Sequence, residues 1–236
     1  YELARLFREN SRATIVMGGL HASMNYAEAA MYCDYVLLGE GDETILPFIR
    51  YIEKGMEPHF AGVAYWDNGQ LICTGMPEPP VNIDIIANRD LVHNYRKMAG
   101  HMTIWPQVHA SRGCPHNCDY CALVKHFGHC VRTRSPADVV QDIRYSIDFF
   151  EKGHFRFLKD LWITDDNFFA DREWAISVLQ AIIDSGIKYR FNIQARYEVG
   201  FDDEMLVLLK KAGFFELDMG IEFLDDESFK TYHKRS

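Results

Sequence analysis

No stretch of the chain is apolar over the roughly 18 to 20 residues needed to span a bilayer, and Tyr1-Glu2-Leu3-Ala4-Arg5 lacks the layout of a signal peptide. Runs of Lys or Arg are absent too. With 25 Lys plus Arg against 34 Asp plus Glu the net charge is −9, and an acidic chain without a basic patch has no electrostatic footprint for nucleic acid. Internal repeats of solenoid period and biased tracts are missing, which excludes repeat and low-complexity architectures. There is no initiator Met, and Tyr1 opens what reads as the end of a helix, so the chain is expected to be a piece of a longer protein. What remains is an ordinary globular composition, 236 residues with 48% hydrophobic and 25% charged, enough for one or two domains and expected in the cytoplasm.

Short apolar runs alternate with amphipathic stretches from the start, the pattern of a parallel α/β domain. Ala13 to Met17 reads as a strand ending in Gly18-Gly19, Asn25 to Cys33 as a helix, and Tyr35 to Leu38 as a buried strand ending in Gly39-Glu40-Gly41. Asp42 can cap the next helix, which Gly55 stops. Asn68-Gly69 between two apolar runs is a strong hairpin signal, and the Pro77, Pro79, Pro80 stretch reads as an extended linker. Residues 58–100 are therefore expected to form a hairpin and linker between a domain of residues 1–57 and another of residues 101–236.

The second series begins with a strand over Met102 to Val108. Ser135, with Pro136 and then Asp138, predicts a capped helix running to Lys152 and ended by Gly153. Strands follow over Phe157 to Thr164, Tyr189 to Gln194 and Phe215 to Glu222. Between and after them lie a helix capped by Asp171, a helix over Asp202 to Ala212 closed by Gly213, and a last helix opened by Asp225 or Asp226. Right-handed crossovers at this spacing predict a parallel sheet, as in part of a (β/α) barrel of which four strands are visible.

Ser111-Arg112-Gly113-Cys114-Pro115-His116-Asn117-Cys118-Asp119-Tyr120-Cys121 sets three thiols at Cys-x3-Cys-x2-Cys directly after a strand. A structural zinc site takes four protein ligands, whereas a cluster held by three thiolates leaves one iron open to a small molecule. The alternative is a closed site, a zinc knot or an electron-transfer cluster, in which Cys130, His116, His126 or His129 supplies a fourth ligand. Cys33 and Cys73 read as ordinary small buried residues. His101, His109 and His126 flank the loop and read as solvated, so no catalytic residue is assigned.

The Cys114, Cys118, Cys121 spacing, with Tyr120 before the last thiol, resembles the signature of the radical S-adenosylmethionine enzymes. Within them the chain is similar to the group with an N-terminal cobalamin-binding domain, since Val16-Met17-Gly18-Gly19-Leu20-His21 and Leu38-Gly39-Glu40-Gly41-Asp42-Glu43-Thr44 look like its last two strand ends. The resemblance implies the C-terminal part of a Rossmann-like cobalamin-binding domain followed by an incomplete radical SAM (β/α) barrel. It also implies a 4Fe-4S cluster on Cys114, Cys118 and Cys121 that cleaves S-adenosylmethionine reductively to a 5′-deoxyadenosyl radical. A small organic substrate and an electron donor such as flavodoxin or ferredoxin would be the partners, and methyl transfer or radical cyclisation the outcome. The cobalt-ligating His of the family would lie upstream of Tyr1, and His21 is not that residue.

Polar residues close the expected strands: Thr164-Asp165-Asp166-Asn167, Gln194-Ala195-Arg196 and Gly220-Ile221-Glu222. Acidic groups suit an ammonium or a ribose, and Arg a carboxylate, all of which S-adenosylmethionine carries. By resemblance, Asp165 and Asp166 would meet its amino group, Gln194, Arg196 and Glu222 its carboxylate and ribose, and Tyr120 its adenine. The Gly-Gly-Glu form of many relatives is absent, which leaves open which Asp acts. Gly18, Gly19, Gly39 and Gly41 would border the cobalamin nucleotide tail.

Overall fold

A computed structural model describes residues 1–55, 59–92, 106–152 and 159–234. The chain divides into two compact units, Tyr1–Val81 with Ala122–Gly128, and Asn82–Cys121 with His129–Ser236.

In the first unit, helix α1 (Glu2–Asn10) precedes strand β1 (Val16–Met17), which pairs in parallel with β2 (Tyr35–Leu37). Between them lie two short helices, α2 (Gly19–Met24) and α3 (Tyr26–Ala29). The expected Asn25–Cys33 helix is thus cut short and preceded by one the sequence did not announce, because Gly-Leu-His-Ala-Ser-Met is too short to show a period. Ala22, Ala29, Cys33, Val36, Leu38 and Ala64 make the core of this unit. Helix α4 (Ile45–Lys54) begins after Thr44, not after Asp42, and is led in by a turn in which the Gly41 carbonyl accepts the Thr44 N–H at 3.2 Å and the Ile45 N–H at 3.0 Å. Gly55 ends it at φ 61.

The hairpin of β3 (Val63–Asp67) and β4 (Gln70–Cys73) turns at Asn68-Gly69 as expected. Its placement is corrected: β3 pairs antiparallel with β2, so the hairpin extends the first sheet in the order β1-β2-β3-β4 rather than standing between domains. Val63 and Ala64 are fully buried, which anchors it there.

In the second unit β5 (Gln107–Val108), β8 (Asp160–Ile163), β9 (Arg190–Arg196) and β10 (Phe214–Gly220) form one parallel sheet with sequential strands adjacent. That order is the one a (β/α) barrel takes. Residues 93–105 and 153–158, which hold most of the expected Met102–Val108 strand, the Gly153 stop and the start of the Phe157–Thr164 strand, lie outside the described residues. Between β5 and β8, β6 (Ser111–Arg112) and β7 (Arg132–Thr133) form a small antiparallel pair at the two ends of the cysteine segment. That segment also contains α5 (Leu123–Phe127), which belongs to the first unit and packs on α2.

The crossover helices are α6 (Pro136–Lys152), α7 (Arg172–Asp184) and α8 (Asp203–Ala212), with α9 (Asp226–Thr231) after β10. The caps at Ser135, Asp171 and Asp225 are those predicted, and Asp202, expected as the first residue of its helix, serves as the cap of α8. Ser135 Oγ accepts the Asp138 N–H at 3.1 Å and donates to the Asp138 carboxylate. Asp171 accepts from Trp174 N–H at 3.0 Å, Asp202 from Met205 N–H at 3.0 Å, and Asp225 from Ser228 N–H at 2.8 Å. Val139, Ile143, Ala175, Leu179, Ile182 and Leu209 turn inward onto Leu161, Ile163, Phe191 and Ile193 of the sheet. Packing of this apolar stripe, more than helix propensity, fixes the C-terminal strand ends in place.

Candidate functional site

The cysteine loop leaves β6 at Gly113, which adopts φ 92. A Cβ there would stand 2.3 Å from the Cys130 carbonyl oxygen, so only glycine lets the outgoing chain pass the returning one. Its N–H donates to Asp166 Oδ2 at 3.1 Å. Two strand ends then reach the thiols. The Asn167 amide, after β8, donates to Cys114 Sγ at 3.8 Å, and Arg196, at the end of β9, donates through Nη1 to Cys118 Sγ at 3.9 Å. The Cys121 N–H closes the turn onto the Cys118 carbonyl at 3.0 Å.

All three sulfurs belong to half-buried residues. Burial pushes the Cys114 thiol up, against the pull of the His116 N–H and the Asn167 amide. Half-buried soft donors with N–H groups aimed at sulfur suit an iron-sulfur cluster, whose stability and potential depend on such contacts. Among the described residues no three His, Cys, Asp or Glu side chains stand as a group that could hold a single metal ion. Cys130 is exposed.

The two aspartates take different places. Asp165 is 1% exposed, and its oxygens accept from the Ala110 N–H at 2.7 Å and the Ser111 hydroxyl at 2.6 Å. Burial raises its carboxyl to about 6 despite those donors. It braces the entry of the cysteine loop and does not face solvent. Asp166 is half-buried and holds Gly113, which makes it the more accessible of the pair.

Arg196 pairs with Glu198 at 2.5 Å, and Gln194, two residues back on β9, is exposed beside Asp218 of β10. Glu222 adopts φ 52 just past β10 and pairs its carboxylate with Lys234. Tyr120 is half exposed, its ring edge-on to Phe223 at 6.0 Å. Burial, then a contact with Cys118, pushes its hydroxyl up to about 12. A cavity of about 520 Å3 opens beside the loop between Pro115 and His116 on one side and Asn167, Phe169, Arg196 and Glu198 on the other. The starts of α7 and α8 complete it with Arg172 and Asp202, paired at 2.7 Å. Its size suits a small ligand or one end of a larger one. Burial and the neighbouring Arg196 lower His116, so this wall of the cavity favours a neutral imidazole.

Glu198, Lys234 and Arg172 were not singled out from the sequence. Glu198 could have been found as the second residue past the Arg of a strand end; Lys234 and Arg172 carry no such signal, because a lone cation near a helix end reads as solvated surface.

In the first unit the four glycines come together. Parallel pairing of Met17 with Val36 sets the exits of β1 and β2 side by side, with Gly18-Gly19 at one and Gly39-Glu40-Gly41 at the other. The Gly39 N–H donates to Ser23 Oγ at 3.0 Å, and at φ 65 a Cβ would press to 3.0 Å from the Pro77 ring. Crevices at such strand ends are where doubly wound sheets bind ligands.

Comparison with known proteins places this geometry. The chain is 26% identical over 207 residues to the uncharacterized methyltransferase sll1242 of Synechocystis sp., covering 85% of this chain and 34% of that protein. It is 28% identical over 219 residues to the hopanoid C-3 methylase of Methylococcus capsulatus, covering 90% and 39%. The chain thus spans well under half the length of these two relatives. Among solved structures, it matches the radical S-adenosylmethionine methyltransferase TsrM of Kitasatospora setae, with tryptophan substrate and a SAM analogue bound. That match has a TM-score of 0.77 at 18% identity, covering 98% of this chain and 45% of that one. It also matches the cobalamin-dependent S-adenosylmethionine radical enzyme OxsB, with aqua-cobalamin and S-adenosylmethionine bound, at TM-score 0.76 and 17% identity, covering 100% and 34%. These likenesses show the fold, a Rossmann-like unit followed by strands of a (β/α) barrel. The model of the Radical SAM superfamily matches residues 108–236, a span that runs from β5 through the cysteine loop and all three polar strand ends: the chain belongs to the radical SAM superfamily.

Proposed function

We propose that the chain is the cofactor-binding part of a cobalamin-dependent radical S-adenosylmethionine enzyme that methylates a small organic substrate. The observation that carries this is the pair of N–H donors, Asn167 and Arg196, brought by two barrel strand ends onto Cys114 and Cys118. A closed zinc knot has no need of them. Cys114, Cys118 and Cys121 would hold a 4Fe-4S cluster. When bound, the cluster supplies the electron that cleaves S-adenosylmethionine to a 5′-deoxyadenosyl radical, and cobalamin supplies a methyl carrier.

The residues around the loop have separable tasks. Asp166, accessible beside Gly113, accepts from the ligand's ammonium; Arg196, with Gln194 near it, takes the carboxylate in a paired geometry. Glu222 accepts from ribose hydroxyls, and Tyr120 covers the adenine. Gly18, Gly19, Gly39 and Gly41 leave room for the nucleotide tail of cobalamin at the first sheet's strand ends. The electron comes from a small redox protein such as flavodoxin or ferredoxin. Methyl transfer is favoured over radical ring closure because the relatives at 26% and 28% identity are named methyltransferase and methylase. Ring closure is the alternative suggested by the similarity to the anaerobic magnesium-protoporphyrin IX monomethyl ester cyclase of Synechocystis sp., at 26% identity over 231 residues.

The test is anaerobic incubation of the reconstituted full-length enzyme with S-adenosylmethionine and a low-potential reductant, followed by mass spectrometry. The reading expects 5′-deoxyadenosine from the wild type and from Cys130→Ala, and none from Cys114→Ala. Equal product from Cys114→Ala, or none from the wild type, would remove it.

A further inference from the structure

We infer that Lys234 is a positioning residue for the nucleoside end of the ligand, acting through Glu222. The inference rests on the reading of Glu222 as a contact to S-adenosylmethionine, and it adds what holds that carboxylate in place.

Lys234 is 3% exposed, an unusual place for an ammonium, which is costly to bury unless it is paired and hydrogen-bonded. Both conditions are met. Its Nζ donates to the Gly220 carbonyl at 2.6 Å and pairs with the Glu222 carboxylate, while the Tyr197 ring centroid lies 6.0 Å away. Arg196, Glu198 and Cys118 also act on it electrostatically, so this cation stands among the residues of the site itself.

Glu222 needs such a hold. A non-glycine residue at φ 52 sits in a sparsely populated region and persists only where its surroundings fix it. Its carboxylate folds back over Gly220, where a Cβ would stand 2.4 Å from Oε1. That leaves the Glu222 side chain 38% exposed, open on one side to a ligand and held on the other by Lys234.

The chain that delivers Lys234 is itself tied to the cysteine loop. After α9, Tyr232 stacks on Phe223 with centroids 5.0 Å apart and planes at 8°. Its carbonyl accepts the Asp119 N–H at 3.2 Å, and His233 Nδ1 lies 2.9 Å from Asp119 Oδ2. Phe223 in turn meets the Tyr120 ring. Residues 232–234 therefore join the loop that carries the three thiols to the strand end that carries Glu222. A tail merely pinned to the surface would not bury its ammonium against the functional carboxylate.

The experiment measures binding of S-adenosylmethionine to the anaerobic full-length holoenzyme by equilibrium dialysis with the cluster oxidised, so that no turnover is needed. Iron content and thermal midpoint are taken for each variant. Lys234→Met should keep wild-type iron and bind S-adenosylmethionine on the order of tenfold more weakly, as loss of a charge-assisted contact predicts. Lys234→Arg should recover most of that loss, and Lys234→Met combined with Glu222→Gln should bind no more weakly than Glu222→Gln alone. Wild-type affinity in Lys234→Met, or an Arg variant as weak as the Met one, would overturn the inference while leaving the ligand reading intact. If Lys234→Met fails to load iron, Lys234→Gln takes its place, with the same expected loss and with wild-type affinity again overturning the inference. Absence of binding by the wild type would remove the ligand reading itself and the inference with it.

Discussion

A methyl group at position 113 would meet the Cys130 carbonyl oxygen at 2.3 Å, and the backbone there already lies at φ 92. Neither problem can be relieved without moving the loop that carries Cys114. Gly113→Ala should therefore lose most of its bound iron after reconstitution, measured as iron and sulfide per chain; full loading would show the loop to be looser than described. Asp165 makes a different prediction. Its carboxyl, ordinarily near 3.8, is raised by burial to about 6, so between those values the folded state binds more protons than the unfolded one. Stability contributed by this group is full below 3.8, falls as pH rises through about 6, and is level above. Asp165→Asn has no such titration. The unfolding free energy of the wild type should drop relative to that variant by about 3 kcal/mol between about pH 4 and about pH 7. A constant difference over that range in denaturant titrations would contradict it.

Elements whose signal is local were the ones the sequence made legible. Three helices of the second unit announced their starts through a side chain that bonds the first turn, and Ser135, Asp171 and Asp225 all do so, as does Asp202, which the sequence pattern places inside its helix rather than at the cap. Ser135→Ala removes the bond to the Asp138 N–H and should cost about 1 kcal/mol in denaturant unfolding; an unchanged midpoint would mean that packing alone sets the start of α6. The three-thiol loop was equally legible, because the spacing itself is the signal. What escaped reading depends on partners far away in sequence or on pieces too short for a period. The β6–β7 pair has two residues a side, α2 has six, and the hairpin's place depends on β2, a strand it reaches only after α4. The site shows the same limit. Strand-end position and resemblance implied that both Asp165 and Asp166 face a ligand, but only the three-dimensional arrangement reveals that Asp165 is closed in by Ala110 and Ser111. Lys234 was invisible for the same reason: nothing near it in the chain states that it will meet Gly220 and Glu222.

At the scale of the molecule, the chain has one unit whose glycine-edged strand ends lie side by side and another in which two strand ends reach the thiols of a cysteine loop. Its second unit carries the superfamily's matched span, and among the described residues no helix is long and apolar enough to cross a membrane. The central claim is that three thiols hold a cluster with one iron left open for S-adenosylmethionine. Electron paramagnetic resonance of the anaerobically reconstituted, reduced full-length protein tests it most directly, with spectra taken before and after the ligand is added. The account predicts a reduced-cluster signal whose g-values shift on addition. A signal indifferent to the ligand, or a protein that loads zinc and no iron, would contradict it.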